Sequence, residues 1–205
     1  MYIPPPFEES RLEVLHTLIK AHPLATLVTQ GGGELAVNHV PFFLDEQAGE
    51  FGTLRGHVAR ANPVWKNLGG SAIAVFQGPT AYISPSWYPS KKVHGKVVPT
   101  WNYVVTHAHG EPRAIEDADW LMRQINALTD ENESNYYLQW KVSDAPDKYI
   151  EQMRKMIVGI EIPIKSLVGK WKLSQNKSAE DKQGVISGLK AAETSVMAEL
   201  IEQHK

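Results

Sequence analysis

Apolar residues at Leu12, Leu15, Leu18 and Ile19 mark one face of a helix, and Ser10 with Glu13 stands ahead of them in capping-box spacing. His22-Pro23 ends that helix. The period then falls to two. Leu24–Thr29 and Leu35–Phe43 read as strands of a hairpin turning at Gly31-Gly32-Gly33. Asp45–Glu50 reads as a turn and Phe51–His57 as a third strand. Asn62-Pro63 opens a short helix, with Pro63 at its first position. Ser71–Gln77 and Ala81–Ser84 are predicted strands divided by Gly78-Pro79. Val98–His109 is the longest predicted strand, and Gly110 and Pro112 lead to a short one near Arg113–Ile115.

Beyond that point helical signals enter. Asp117 is placed to cap a helix through Leu128, and Pro146–Met156 predicts another. Ile157–Ile164 and Lys170–Ser174 look extended. Ser178 with Asp181 caps a helix through Leu189, and Ala191–Gln203 is a last one. Six or seven short strands in the first half predict a closed antiparallel barrel decorated by helices. The expected class is mainly β with added helices, α+β. No internal repeat or low-complexity tract is present.

The stretch Gly78–Gly110 breaks the pattern of a simple hairpin. Its connection carries Trp87, Tyr88, Lys91, Lys92, His94 and Lys96, bounded by Pro85, Pro89 and Pro99. A hairpin needs only about 2–5 connecting residues. A longer connection rich in aromatics and cations is a working loop, and those side chains suit a planar, anionic ligand.

Composition narrows the chemistry. The 205 residues carry a formal net charge of −2, which argues against a globally basic nucleic-acid binder but leaves a local basic patch open. With no cysteine, the chain has no disulfide framework, thiolate zinc site, iron–sulfur cluster or cysteine nucleophile. The N-terminus lacks the basic and apolar regions of a signal peptide, and no 18-residue apolar run is present. A soluble, cytoplasmic protein is expected, with no membrane partner.

Further candidates lie in three places. In GHVARANPVW, Arg60 stands where a strand hands over to a helix led by Asn62; either the pair forms an anion site or Asn62 is only a cap and Arg60 is solvated. His57 in the same stretch reads as a satisfied polar residue or a ligand. In VNHVPF, Asn38 and His39 interrupt an apolar strand, by plain alternation or because the strand edge meets a ring. GKWKLSQNKS repeats cation, aromatic and amide in Lys170, Trp171, Lys172, Gln175 and Asn176. His107 and His109 point the same way on a strand, but two histidines make a poor metal site. Rossmann, Walker, G-x-S-x-G and H-E-x-x-H patterns are absent.

Five blocks in order, MYIPPPF, GHVARANPVW, GPTAYISPSWY, GKVVPTWNYVVTHAHG and GKWKLSQNKS, resemble the PaiB family of FMN-binding transcriptional regulators from Met1 to about Leu189. The resemblance implies a six-stranded antiparallel split barrel of the pyridoxamine-phosphate-oxidase-like kind. It implies one domain over residues 1–205, with helical additions at 117–156 and 178–204, and a homodimer with FMN at the subunit interface. By that analogy His57 falls within the cofactor region, and Arg60 and Asn62 serve the phosphate. Val37, Asn38, His39 and Val40 line the isoalloxazine. Tyr82, Ser84, Trp87 and Tyr88 bound the pocket, Lys91 and Lys96 reach the phosphate or ribityl chain, and Thr100, Trp101 and Asn102 close it. Trp171, Lys172, Gln175 and Asn176 come from the second subunit.

The family role is negative transcriptional regulation. DNA is a partner by that role, although charge and motif do not support direct binding. The alternatives are an FMN-dependent oxidoreductase, with Tyr88 and His39 as residues to test, and a heme-binding split barrel with His57, His94, His107 or His109 as axial ligand.

Overall fold

The computed structural model describes residues 1–31 and 33–204; of the predicted Gly31-Gly32-Gly33 turn, Gly32 lies outside the described residues. Eight strands and six helices are present among them. In chain order they are β1 (Glu8–Glu9), α1 (Leu12–Ala21), β2 (Leu24–Gly31), β3 (Glu34–Asp45), β4 (Thr53–Ala59), β5 (Ala72–Ile83), α2 (Ser90–His94), β6 (Thr100–Gly110), β7 (Arg113–Ile115), α3 (Ala118–Glu133), α4 (Asp147–Lys155), β8 (Ile157–Lys172), α5 (Ala179–Ala191) and α6 (Ser195–Gln203).

The strands follow the order β1-β8-β4-β3-β2-β5-β6, and β6 also pairs with β8. That last pairing closes a six-stranded ring of β8, β4, β3, β2, β5 and β6, the split-barrel topology. The β2–β3, β2–β5, β3–β4 and β4–β8 ladders are antiparallel. Five ring strands come from residues 24–110 and the sixth, β8, from residues beyond 156.

Three local readings change. Gly78-Pro79 does not split β5. Proline's fixed φ suits an extended chain, and the Gln77 side-chain amide donates to the Val104 carbonyl at 3.2 Å where Pro79 can donate nothing. The two extended stretches predicted at 157–164 and 170–174 fuse into the 16-residue β8. α3 runs on to Glu133, past the predicted end at Leu128. Two of the predicted caps form here: Asp117 Oδ1 accepts the Trp120 N–H at 2.7 Å, and Ser178 Oγ accepts that of Asp181 at 3.2 Å.

The chain divides into two compact units. The first holds Leu12–Phe76 and His107–Leu167; the second holds Met1–Arg11, Gln77–Thr106 and the chain from Val168 onward. The first unit contains one apolar cluster. α1 contributes Ile19, the hairpin Leu27, Val40 and Phe42, β4 Leu54, β5 Phe76, and β8 Ile160 and Ile162. Each strand places alternate residues there, so one face of the sheet is dry.

In the second unit α5 packs on α6, and Val185, Leu189, Met197 and Ile201 are buried. Gly184 and Gly188 of α5 form a bed for Trp87. A Cβ on Gly188 would stand 2.3 Å from the Trp87 ring, and one on Gly184 would stand 2.1 Å from the Trp87 carbonyl oxygen.

Candidate functional site

In the first unit, β2, the start of β3 and the 3-10 turn Pro63–Asn67 enclose an open cavity of about 360 Å3. Val37 and Asn38 line it from β3, and Asn62, Val64 and Asn67 line it from the turn. Asn62 does two things there. Its Oδ1 caps the turn by accepting the Val64 N–H at 3.0 Å, and its Nδ2 donates to Asn38 Oδ1 at 2.8 Å. The two amides are thereby fixed relative to each other. Val37 is 59% exposed beside them and His39 is exposed, whereas Val40 is buried in the core. Gly31 allows the close approach of β2, since a Cβ there would stand 2.1 Å from the Asn67 carbonyl oxygen.

Arg60 is held by the protein itself. Nε donates to the Lys155 carbonyl at 2.9 Å, Nη2 to that of Ile157 at 3.2 Å, and Nη1 to Glu116 Oε2 at 2.6 Å. Its guanidinium also lies over the Trp65 ring at 5.8 Å. His57 turns to α3, where its Nδ1 meets Gln124 Oε1 at 2.9 Å. An amide oxygen only accepts, so the imidazole proton sits on Nδ1.

The second unit gathers the aromatic and cationic candidates. Tyr82 and Trp101 meet edge to face with centroids 5.7 Å apart, and both are about half exposed. Ser84 caps the turn holding Trp87 by accepting the Ser86 N–H at 3.2 Å, and Trp87 itself packs on α5. Tyr88 is 2% exposed, its hydroxyl has no partner among the described residues, and the Lys177 ammonium lies 4.8 Å from its ring centroid. Burial, with the Asp181 carboxylate nearby, raises the phenol above its ordinary value. Lys91 and Lys96 are exposed on and after α2.

The β6 and β8 residues pair off. Lys172 donates to Thr100 Oγ1 at 2.5 Å, and Asn102 Nδ2 donates to Ser174 Oγ at 2.9 Å. Asn102 is wholly buried and its Oδ1 lacks a partner among the described residues. Burial holds the Lys172 ammonium below its usual range, and Lys170 and Lys177 push the same way. Gln175 folds back, its Oε1 accepting the Leu173 N–H at 2.7 Å and its Nε2 donating to the Trp171 carbonyl at 2.5 Å. Trp171 is buried and Asn176 exposed. The His107 and His109 rings stand 6.3 Å apart. Burial depresses both, and in His107 the neighbouring His109 adds to it.

Val37, Asn38 and Asn62 therefore share one cavity; Tyr82 with Trp101, Thr100 with Lys172, and Trp171 with Gln175 are paired elsewhere. Sequence reading missed Thr29, Glu34, Leu35 and Asn67 in the cavity lining, and Ser174 with its left-handed φ of 62°. One broader signal was available. Residues 51–110 hold six lysines and arginines and no acidic residue, so all 23 carboxylates lie elsewhere in the chain.

A family model described as "Putative FMN-binding domain" matches residues 1–166. An uncharacterized protein of Emericella nidulans, AN0679, is 35% identical over 92% of this chain and 90% of its own length. The Bacillus subtilis protein named protease synthase and sporulation protein PAI 2 is 32% identical over 98% of this chain and 97% of its own. Among solved structures, an FAD and heme binding protein from Mycobacterium smegmatis superposes with a TM-score of 0.60 at 16% identity, covering 86% of this chain and 78% of that one, and so shares the fold. The chain belongs to the PaiB-type family of FMN-binding domain proteins. No helix among the described residues is long and apolar enough to cross a membrane.

The donor set suits a flavin ring. The cavity offers amide groups at Asn38, Asn62 and Asn67 for a polar rim and the apolar surfaces of Leu35, Val37, Pro63 and Val64 for its faces. No lysine or arginine lines it among the described residues, so the phosphate requires a cation from outside the lining.

Proposed function

We propose that the protein binds FMN and acts as a negative transcriptional regulator of the PaiB type, the role that its resemblance to that family implies; its relative PAI 2 is named for protease synthesis and sporulation. The observation that carries this reading is the Asn38–Asn62 amide pair in the wall of the cavity at the β3 start, within a chain of the FMN-binding family. Asn38 and Asn62 meet the polar rim of the ring, and Val37 and Leu35 cover a face. Arg60 takes the phosphate by exchanging Glu116. That exchange is cheap, because a solvent-exposed ion pair contributes only about 0–1 kcal/mol, whereas a phosphate dianion forms charge-assisted bonds. Bound FMN supplies hydride or electron chemistry at its ring; the chain supplies binding and orientation.

A homodimer is part of the proposal. The half-exposed Tyr82–Trp101 pair and the exposed Leu35 and Val37 are apolar surfaces that a second copy would cover. The exposed Lys91 and Lys96 remain candidates for the phosphate or ribityl chain, together with Lys172, Gln175 and Asn176 from the second copy. Equilibrium dialysis of the wild type and Asn38→Leu against FMN tests the ring assignment. Saturable binding that the variant weakens supports it; equal binding by both rejects it. Reduced nicotinamide bleaching the bound flavin with turnover would point to an oxidoreductase instead of a regulator.

A further inference from the structure

A second cavity, of about 140 Å3, lies between α3 and the β3–β4 ladder, lined by Phe43, Arg55, Trp120, Arg123, Gln124 and Ala127. The α3 residues fall at i, i+3, i+4 and i+7, so one helix face supplies them. Protein contacts fix most of this lining. Arg55 Nη1 lies 2.7 Å from Asp45 Oδ2, and its Nε donates to Glu161 Oε2 at 3.0 Å. Trp120 Nε1 donates to the same Glu161 oxygen at 3.2 Å, and His57 holds Gln124 Oε1.

The capacity left over is all of one kind. Gln124 is 2% exposed and its Nε2 has no partner among the described residues. Arg55 keeps its Nη2 hydrogens, and Arg123 makes no hydrogen bond or ion pair among the described residues. These are donors without acceptors, and two belong to cations that never deprotonate. Among the charged groups that line or anchor the cavity, Arg55, Arg113 and Arg123 outnumber Asp45 and Glu161. The rest of the lining is apolar: Phe43, Ala127 and the Trp120 ring. We propose that this cavity binds a small carboxylate with an apolar body, its carboxylate on Arg123 and Arg55 and its body against Phe43 and Trp120. The volume equals that of about four to five water molecules, room for a single ring with its carboxylate. This site is separate from the flavin cavity and does not depend on it.

The test is calorimetric titration of FMN-free protein with benzoate, its neutral isostere benzamide, and acetate. Benzoate is expected to bind saturably, acetate more weakly, and benzamide not detectably. Arg123 is exposed, so Arg123→Gln is expected to fold normally and to weaken benzoate at least tenfold, a change of about 1.4 kcal/mol. Lys148→Gln removes an exposed charge elsewhere and is expected to leave affinity unchanged. Trp120→Phe is expected to abolish the fluorescence response to benzoate, which locates the ligand. Equal affinity for benzoate and benzamide, no saturable benzoate binding, or wild-type affinity in Arg123→Gln would overturn the proposal. Failure of FMN to bind would leave it standing.

Discussion

The Asn62 side chain donates to Asn38 Oδ1 at 2.8 Å while its own oxygen caps the turn that follows it. A cap and a cross-link thus meet in one residue, and the strand start and the turn are held at a fixed separation across the cavity mouth.

Replacing Asn62 separates the two roles. Asn62→Ala loses both and is expected to lower stability by about 1–2 kcal/mol, as loss of a cap and a hydrogen bond should. Asn62→Asp keeps a capping oxygen but cannot donate to Asn38. Chemical denaturation should show a smaller loss for Asp than for Ala, while FMN affinity falls in both.

Arg60 and Glu116 should move FMN affinity in opposite directions. Arg60→Ala is expected to weaken binding by about 2 kcal/mol through a lost charge-assisted contact. Glu116→Gln removes the carboxylate that competes with the phosphate and should tighten binding. Titration of the two variants beside the wild type checks the pair; unchanged affinity in both would remove Arg60 from the site.

The Trp87 bed on α5 gives a stability prediction independent of any ligand. Gly188→Ala pushes a methyl group to 2.3 Å from the ring, and overpacking of this kind typically costs about 1–3 kcal/mol. In the Trp87→Ala background the same change should cost much less. A double-mutant cycle by denaturation reads the coupling, and additive costs would show that Trp87 does not fill this bed.

Glu161 anchors β4 and β7 to β8. It is 4% exposed and accepts from Arg55, Arg113 and Trp120. Burial alone pushes its carboxyl up, but the hydrogen bonds from Arg113, Arg55 and Trp120 outweigh it, and the group sits below its usual 4.5. A depressed carboxylate stabilises the fold above its unfolded value and loses that contribution as pH falls through the folded one. Glu161→Gln is therefore expected to lower stability near neutrality by about 1–3 kcal/mol, since it removes the charge from its bonds with the partly exposed Arg55 and the exposed Arg113, and to flatten the acid limb of the stability profile. An unchanged acid limb would assign acid lability to other groups.

The barrel was legible because its strands alternate and its caps are local signals: Asp117, Ser178 and Asn62 each stand three residues or fewer from the amide they bind. What could not be read was long-range. Gln77 repairs the ladder at Pro79 through a carbonyl 27 residues away, and β8 closes the ring from beyond both intervening helices α3 and α4. The site divided the same way. Val37, Asn38 and Asn62 were found from motif and resemblance, and they share a cavity. Arg60 was named too, but it is not in the cavity lining, and its three protein acceptors lie 56 to 97 residues away and leave no local trace. The packing of Trp87 on α5 left no local trace either, because Gly184 and Gly188 stand far along the chain from it.

We propose that FMN binds at the Asn38–Asn62 cavity and that the protein works as a dimer. Titration of dialysed protein with FMN, followed by tryptophan fluorescence and paired with sedimentation at matched concentration, tests it most directly. Saturable quenching at one FMN per subunit on a dimer, weakened by Asn38→Leu, is the expected result. A well-folded protein that shows no quenching and no FMN uptake would contradict it.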